Sequence, residues 1–268
     1  MAETQRRDIF RQSSVIAAAS FMVIAAFIGT GAAGGTPVQD LQGGALDADG
    51  SFLAPGRPAF GIWTVIYAGL LAYTVWQALP GQRASARQRS MGWWIALTMV
   101  LNGGWLVASQ FGPLVSTVVA IVALLAALGW TFHRAVVTKE HQSPWPDSLL
   151  VDGVTGLHLG WVSVATVANI AAWLTAVGPA SWGAQAHLWG VVVLVLVLVI
   201  GLAISWASGW RLAPPFAMAW GCLWIGLERL GGQPYAPDVG STALIVAGLL
   251  VLVPSTARVV TLLRQGGD

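Results

Sequence analysis

The sequence predicts an all-α protein, a polytopic membrane helix bundle with about eight transmembrane helices. Three observations point there. The 268 residues are 56% hydrophobic and 9% charged, with a mean hydropathy of +0.71, whereas a soluble domain carries roughly a quarter charged residues. The apolar residues gather into eight long runs divided by strong breakers. The basic residues fall almost entirely on alternate connections between those runs.

A bilayer core needs about 20 apolar residues per helix. In chain order the runs are 14–34, 58–79, 91–110, 114–136, 151–176, 186–208, 213–231 and 241–262. Pro80-Gly81, Gly112-Pro113, Pro144-Trp145-Pro146, Gly178-Pro179 and Gly231-Gly232 separate them. The seventh is short and closes on Glu228-Arg229, which reads as a pair at the outer interface. Arg6, Arg7 and Arg11 before the first run look like the start of a signal peptide. The many spans that follow make it a retained first helix with a basic flank.

The basic residues test this count. With the N-terminus inside, Arg83, Arg87, Arg89, Arg134, Lys139, Arg211, Arg258 and Arg264 all fall inside, and only Arg57 and Arg229 fall outside. The positive-inside rule makes that inner side the cytoplasm. Both termini are then cytoplasmic, and a bacterial cytoplasmic membrane is the expected location. The long outer loop 35–57, rich in Gly with Asp40, Asp47 and Asp49, is either a solvated connection or a cap. The inner loop 137–150 is polar and marked by prolines. Pro58, Trp63, Tyr67 and Gly69 repeat the spacing of Pro215, Trp220, Trp224 and Gly226. Inverted repeats would give such an echo, but four positions do not exceed coincidence.

Several function classes are excluded or left without support. A net charge of +2 behind a pI near 9.1 is too small and too scattered for a nucleic-acid surface. The single cysteine, Cys222, rules out an internal disulfide and a CxxC site, and reads as a packing residue. No Ser-His-Asp array, zinc spacing, paired carboxylates or phosphate loop occurs. No catalytic residue and no metal ligand is assigned, and enzymatic activity is left open.

Helical periodicity of about 100° per residue sorts the polar groups onto faces. His158, Trp161, Ala165, Asn169 and Trp173 share one face of the fifth run, while Ser163 points away and Thr166 lies on the edge. Trp94, Thr98, Asn102, Trp105 and Ser109 share a face of the third run; Phe60, Trp63, Tyr67, Thr74 and Gln77 do so on the second. Lipid cannot satisfy an asparagine, so these stripes must face protein or a cavity. Two readings stand. Asn102 and Asn169 are interhelical glue, with Trp93, Trp130, Trp145, Trp182, Trp206 and Trp210 forming interfacial belts. Alternatively Trp63, Trp105 and Trp161, which lie well inside their helices, wall a pocket for a flat and mostly apolar ligand.

The stretch FGIWTVIYAGLLAYTVW at 60–76 resembles the second-helix signature of the TspO/MBR family, the tryptophan-rich sensory and translocator proteins. LNGGW at 101–105 is similar to its third-helix motif, and WVSVATVANIAAW at 161–173 to its fifth. The resemblance covers about 14–176. It implies a five-helix core over 1–176, followed by a three-helix extension over 177–268. It also implies a pocket beneath the loop between the first two helices, binding tetrapyrroles and, in some members, sterols. Carried over, Trp63, Asn102, Trp161 and Ala165 take pocket-lining positions, and loop 35–57 becomes a lid. Two departures matter. That loop contains no Trp or Tyr, which in the family reach the ligand. Neither Tyr67 nor Tyr73 has a basic residue within the next five positions, so the sterol pattern fails; only its reversed form fits, at Arg57, Phe60 and Val65. Family members pair through bundle helices, and Gly103 and Gly104 would allow close packing of that kind, or coverage by helices six to eight.

The expectation is therefore a membrane-embedded sensory or translocator-like protein that binds a flat amphipathic ligand, most plausibly a tetrapyrrole. Phe60, Trp63, Tyr67, Trp105 and Trp161 would enclose it, Asn102 and Asn169 would supply hydrogen bonds, and Ala165 would leave room. No cofactor is assigned, porphyrin or haem entering as ligand. His158 reads as a structural hydrogen-bonder, with axial ligation of a haem-like metal the alternative. A carrier of small lipophilic molecules and a membrane enzyme acting on such a ligand are the other readings. Light-dependent porphyrin breakdown, proposed for the family, would rest on Trp63 and Trp161. The expected partners are lipid and the ligand, with no nucleic acid, and the chain is a monomer or homodimer.

Overall fold

The computed structural model describes residues 2–32, 34–139 and 144–265. Residues 140–143 of the inner loop thus lie outside the described residues. Eight long helices follow one another: α1 Ala2–Gly29, α2 Ile62–Ala78, α3 Ala86–Phe111, α4 Leu114–Val137, α5 Val154–Val177, α6 Ala186–Ala207, α7 Ala213–Gly231 and α8 Pro237–Gln265. There is no strand among the described residues. The helix ends agree with the apolar runs to within about five residues, except that α1 begins a dozen residues early.

Local chemistry explains several boundaries. Ser85 caps α3, its hydroxyl accepting the Gln88 N–H at 3.4 Å. Pro113 stands at the N-cap of α4, and Pro214 and Pro215 sit in the first turn of α7, where a missing N–H costs nothing. A π-helical turn, Ser148–Gly153, leads into α5.

Seven of the helices are long and apolar enough to cross a membrane. The exception is α7, which carries two prolines, Glu228 and Arg229. It packs against both α6 and α8 and buries Ala217, Met218, Gly221, Cys222, Ile225 and Arg229. A helix covered by its neighbours faces less lipid and tolerates a more polar composition. Seven such apolar helices make this an integral membrane protein of the all-α, helix-bundle class.

The chain divides into two compact units, residues 1–38 with 63–155, and residues 39–62 with 156–268. In the first unit α3 packs against α1 and α4. Val15, Met22, Ile66, Leu70, Met91 and Met99 are among its most buried side chains. A side chain added at Gly103 would meet the Phe21 ring at 2.6 Å and the Met22 backbone at 3.4 Å, so this glycine serves the α1–α3 approach. At Gly104 it would meet no described atom within 4 Å.

Of the basic flank, Arg11 is buried, being 1% exposed. Its guanidinium donates to Gln77 Oε1 at 3.3 Å and the Arg83 carbonyl at 3.0 Å, so α1 starts early to carry it. Arg87 is buried as well. It pairs with Asp147 at 3.1 Å and Asp152 at 2.7 Å, and donates to the Ala135 carbonyl and Thr138 Oγ1.

The second unit has its own apolar core, built from Leu53, Val164, Leu194, Met218, Ile225 and Val246 together with neighbours on the same helices. Glycines set the α5–α7 approach. A side chain at Gly160 would run into the Pro214 carbonyl, and one at Gly221 would meet Val164 at 2.8 Å. Residues 39–62 of the long loop belong to this unit. They form short 3-10 turns. Arg229, of the Glu228-Arg229 pair, serves this loop. It is fully buried and donates to the Ser51 carbonyl at 3.0 Å, the Gln233 carbonyl at 2.9 Å and the Ala48 carbonyl. Irregular backbone removed from water needs such donors, and one guanidinium supplies three of them.

Candidate functional site

The expected ligand residues fall into two groups. Tyr67, Asn102, Trp63 and Trp105 lie in the first unit; Phe60, Trp161, Ala165 and Asn169 lie in the second.

In the first group α2 presents Trp63 and Tyr67 one turn apart, their rings 5.2 Å between centroids. Tyr67 donates its hydroxyl to Asn102 Oδ1 on α3 at 2.8 Å. Asn102 is fully buried, and its amide nitrogen Nδ2 has no hydrogen-bond partner among the described residues. Buried donors are nearly always paired, so an unpaired one calls for an explanation. Trp105, one turn further along α3, is 5% exposed, and Ser109 donates to its carbonyl at 2.9 Å. The arrangement therefore offers a flat aromatic surface beside one directional donor. Asn102 and Tyr67 form the interhelical bond that the packing reading expects, yet that bond uses only the oxygen end of the amide.

In the second group Trp161 is 1% exposed and meets the Phe60 ring edge-on, with centroids 5.9 Å apart. Asn169 donates to the Ala165 carbonyl at 2.9 Å, one turn back on α5. Ser163 and Thr166 do the same to Leu159 and Val162 at 2.8 and 2.7 Å. These three side chains are thus tied to the carbonyls of their own helix, which is how an apolar environment accepts them. Ala165 is half-buried, and His158 is fully buried on the same helix.

The end-lying tryptophans separate from both groups. Trp93, Trp130, Trp145, Trp182 and Trp206 are exposed, as interfacial belts require. No group of three or more His, Cys, Asp or Glu able to hold a metal occurs among the described residues. Outside the membrane-spanning helices, Asp47 in the long loop accepts from Arg57 Nε at 2.9 Å. That bond, followed by one from the Ala48 N–H, holds the Asp47 carboxyl below its usual range against the opposing effect of burial.

Residue patterning did not reveal the Trp220 contact, in which the indole of α7 donates to the Ala59 carbonyl at 2.8 Å. The only available signal was the echo of Pro58 and Pro215, which concerns helix faces rather than contacts.

The fold and these faces define a multi-pass membrane protein with aromatic and polar stripes on α2, α3 and α5. Residues 14–255 match the family model for TSPO-like proteins, and the chain belongs to that family. The match runs beyond α5 into α8. No curated protein and no solved structure matches the chain.

Proposed function

We propose that this TSPO-like protein binds a flat amphipathic ligand, most plausibly a tetrapyrrole, on the α2–α3 face formed by Trp63, Tyr67, Asn102 and Trp105. The observation that carries the proposal is Asn102. It is fully buried and already engaged by Tyr67, yet its amide donor has no partner among the described residues. A ligand carboxylate or carbonyl would take that donor, while the Trp63–Tyr67 pair stacks on the ring system. Trp161 and Ala165, which the family resemblance also assigns to ligand, and Phe60 and Asn169, which helical periodicity adds, enter as a separate test.

The assay is porphyrin titration of the purified protein, followed by quenching of tryptophan fluorescence. Asn102→Leu removes the donor at similar volume and is expected to weaken binding roughly 10- to 150-fold, the scale of one hydrogen bond to a charged acceptor. Trp63→Ala and Trp161→Ala are titrated singly and together. Unchanged porphyrin affinity in both Asn102→Leu and the double tryptophan variant would overturn the proposal. Cytoplasmic termini are part of the same reading, resting on the basic-residue bias, and reporter fusions at each end test them.

A further inference from the structure

Two cavities of the second unit meet at one residue. The larger, about 560 Å³, takes in none of the eight expected ligand residues. Its walls come from residues 49–53 of the loop, the second half of α5, the 3-10 turn Ala180–Gln185 and the start of α6. They are overwhelmingly apolar and include Phe52, Trp182 and Trp189, and their single ionisable side chain among the described residues is Asp49. The smaller cavity, about 340 Å³, is polar, and Asp47, Asp49, Arg57, Glu228 and Gln233 contribute to its wall. Asp49 thus belongs to both linings.

The charges around the smaller cavity do not cancel. Arg57 is held by Asp47 at 2.5 Å and by Asp40 at 3.2 Å. Arg229 is buried, and its guanidinium donates to three carbonyls, two of them from Ala48 and Gln233 of the cavity wall. The carboxylates of Asp40, Asp47, Asp49 and Glu228 therefore stand against two guanidiniums, an excess of two negative charges. Glu228 is held in place by the backbone around it. A side chain at Gly56 would meet its Oε2 at 2.6 Å, and one at Gly232 would run into its Oε1.

We propose that the two cavities form one site for a hydrophobic cation, with an apolar body against α5 and α6 and a single ammonium head facing Asp49 and Glu228. The volume of the larger cavity lies in the ordinary range for small-molecule sites. An anionic head would meet the excess carboxylates as like charges, and a neutral one would gain nothing from them. Phe52, Trp182 and Trp189 add ring faces that attract a cation. Asp49 is exposed, so each charge pair contributes only the modest energy of solvated ions. Selection rests on the apolar body and the two carboxylates acting together.

The test uses the full-length protein in phosphatidylcholine nanodiscs and three photoactivatable probes sharing one diazirine-bearing twelve-carbon chain: the trimethylammonium, the alcohol and the carboxylate. Saturable labelling by the ammonium, mapped to residues 49–53, 167–175 or 182–196, is expected at a lower half-saturation than for the other two. Asp49→Asn combined with Glu228→Gln should raise the ammonium half-saturation roughly 2- to 30-fold, the scale of two partly exposed ion pairs. The alcohol should be unaffected, because both substitutions keep the side-chain shape. Asp49→Asn alone, at an exposed residue, should give roughly 1.5- to 5-fold and decides the matter if the double variant does not fold. Equal half-saturation for the three probes would overturn the proposal in favour of a bed for any apolar chain. So would variants that leave the ammonium unchanged or shift the alcohol equally. Absence of saturable labelling by the ammonium would overturn it too. Porphyrin titration of the same variants, expected to be unchanged, keeps this result separate from the proposal for Asn102.

Discussion

Replacing Arg87 by methionine should be the most destabilising single change in the first unit. The guanidinium meets four groups at once: Asp147 at 3.1 Å, Asp152 at 2.7 Å, the Ala135 carbonyl at 2.9 Å and Thr138 Oγ1 at 2.6 Å. Asp152 keeps a second cation, since Lys139 Nζ lies 2.8 Å from its other oxygen. Asp147 loses the guanidinium it accepts from and stays 3% exposed. Breaking a buried pair by removing one partner costs about 3–5 kcal/mol, mostly because a desolvated charge is left behind. At about 2–4 °C per kcal/mol for chains of this order of size, the melting temperature should fall by roughly 6 °C or more.

Three companions isolate the cause. Arg87→Lys keeps the charge but loses the planar fork, and should cost about 1–3 kcal/mol. Arg57→Met removes a pair in which Arg57 is 60% exposed, and should change melting little, because solvent screens the pair. Arg87→Met combined with Asp147→Asn removes the stranded charge and should melt above Arg87→Met alone. Thermal melting in one detergent, followed by intrinsic fluorescence, ranks all four. If Arg87→Met melts with Arg57→Met, or the double variant melts below the single, the buried-charge reasoning is wrong.

The remaining predictions concern acid, packing and unpaired polar groups. The Asp47 carboxyl is held low by Arg57, so its contribution is complete above the ordinary carboxylate pKa near 3.9 and is lost as pH falls through the lower folded value. Arg57→Gln should therefore melt slightly below the parent at pH 7 and converge with it in strong acid. Gly160→Ala, whose new methyl meets the Pro214 carbonyl and Ala217, should destabilise by about 1–3 kcal/mol. Gly104→Ala, with open space around it, should stabilise by about 0.5–1 kcal/mol. Without ligand, Ser51→Ala and the pair Tyr67→Phe, Asn102→Leu should leave melting unchanged or raise it, because each removes a buried group lacking a partner.

Much of this was legible in the residue order because lipid imposes a simple rule on composition. Runs such as 114–136 and 186–208 reappear as α4 and α6 with ends displaced by a single residue. The Tyr67–Asn102 bond was implicit in two stripes that each needed a partner. What escaped was long-range charge pairing. Arg87 looked like one more inner-side cation, and its acids lie 60 and 65 positions away, on a turn of π-helix and the residues before it. The partners of Arg229 escaped as well, because they are backbone carbonyls, and every residue has one of those. Ser51 carries no local signal: a serine between two glycine-rich turns says nothing about the cavity folded around it.

The buried polar groups divide by whether protein alone completes them. Around Arg87, two carboxylates, a carbonyl and a hydroxyl accept at 2.6 to 3.1 Å, and around Arg229 three carbonyls accept. These groups order a helix end and a loop, and chemistry with a ligand would have to break what they already make. Asn102 and Ser51 are different, for each retains a polar atom that the described residues leave without a partner. In a medium without water such an atom costs free energy for as long as the site is dry. A fold that keeps it is either less stable than it need be or completed by something that binds. The proposed α2–α3 site follows from that alternative, asking for a flat acceptor-bearing ring system beside Trp63 and Tyr67.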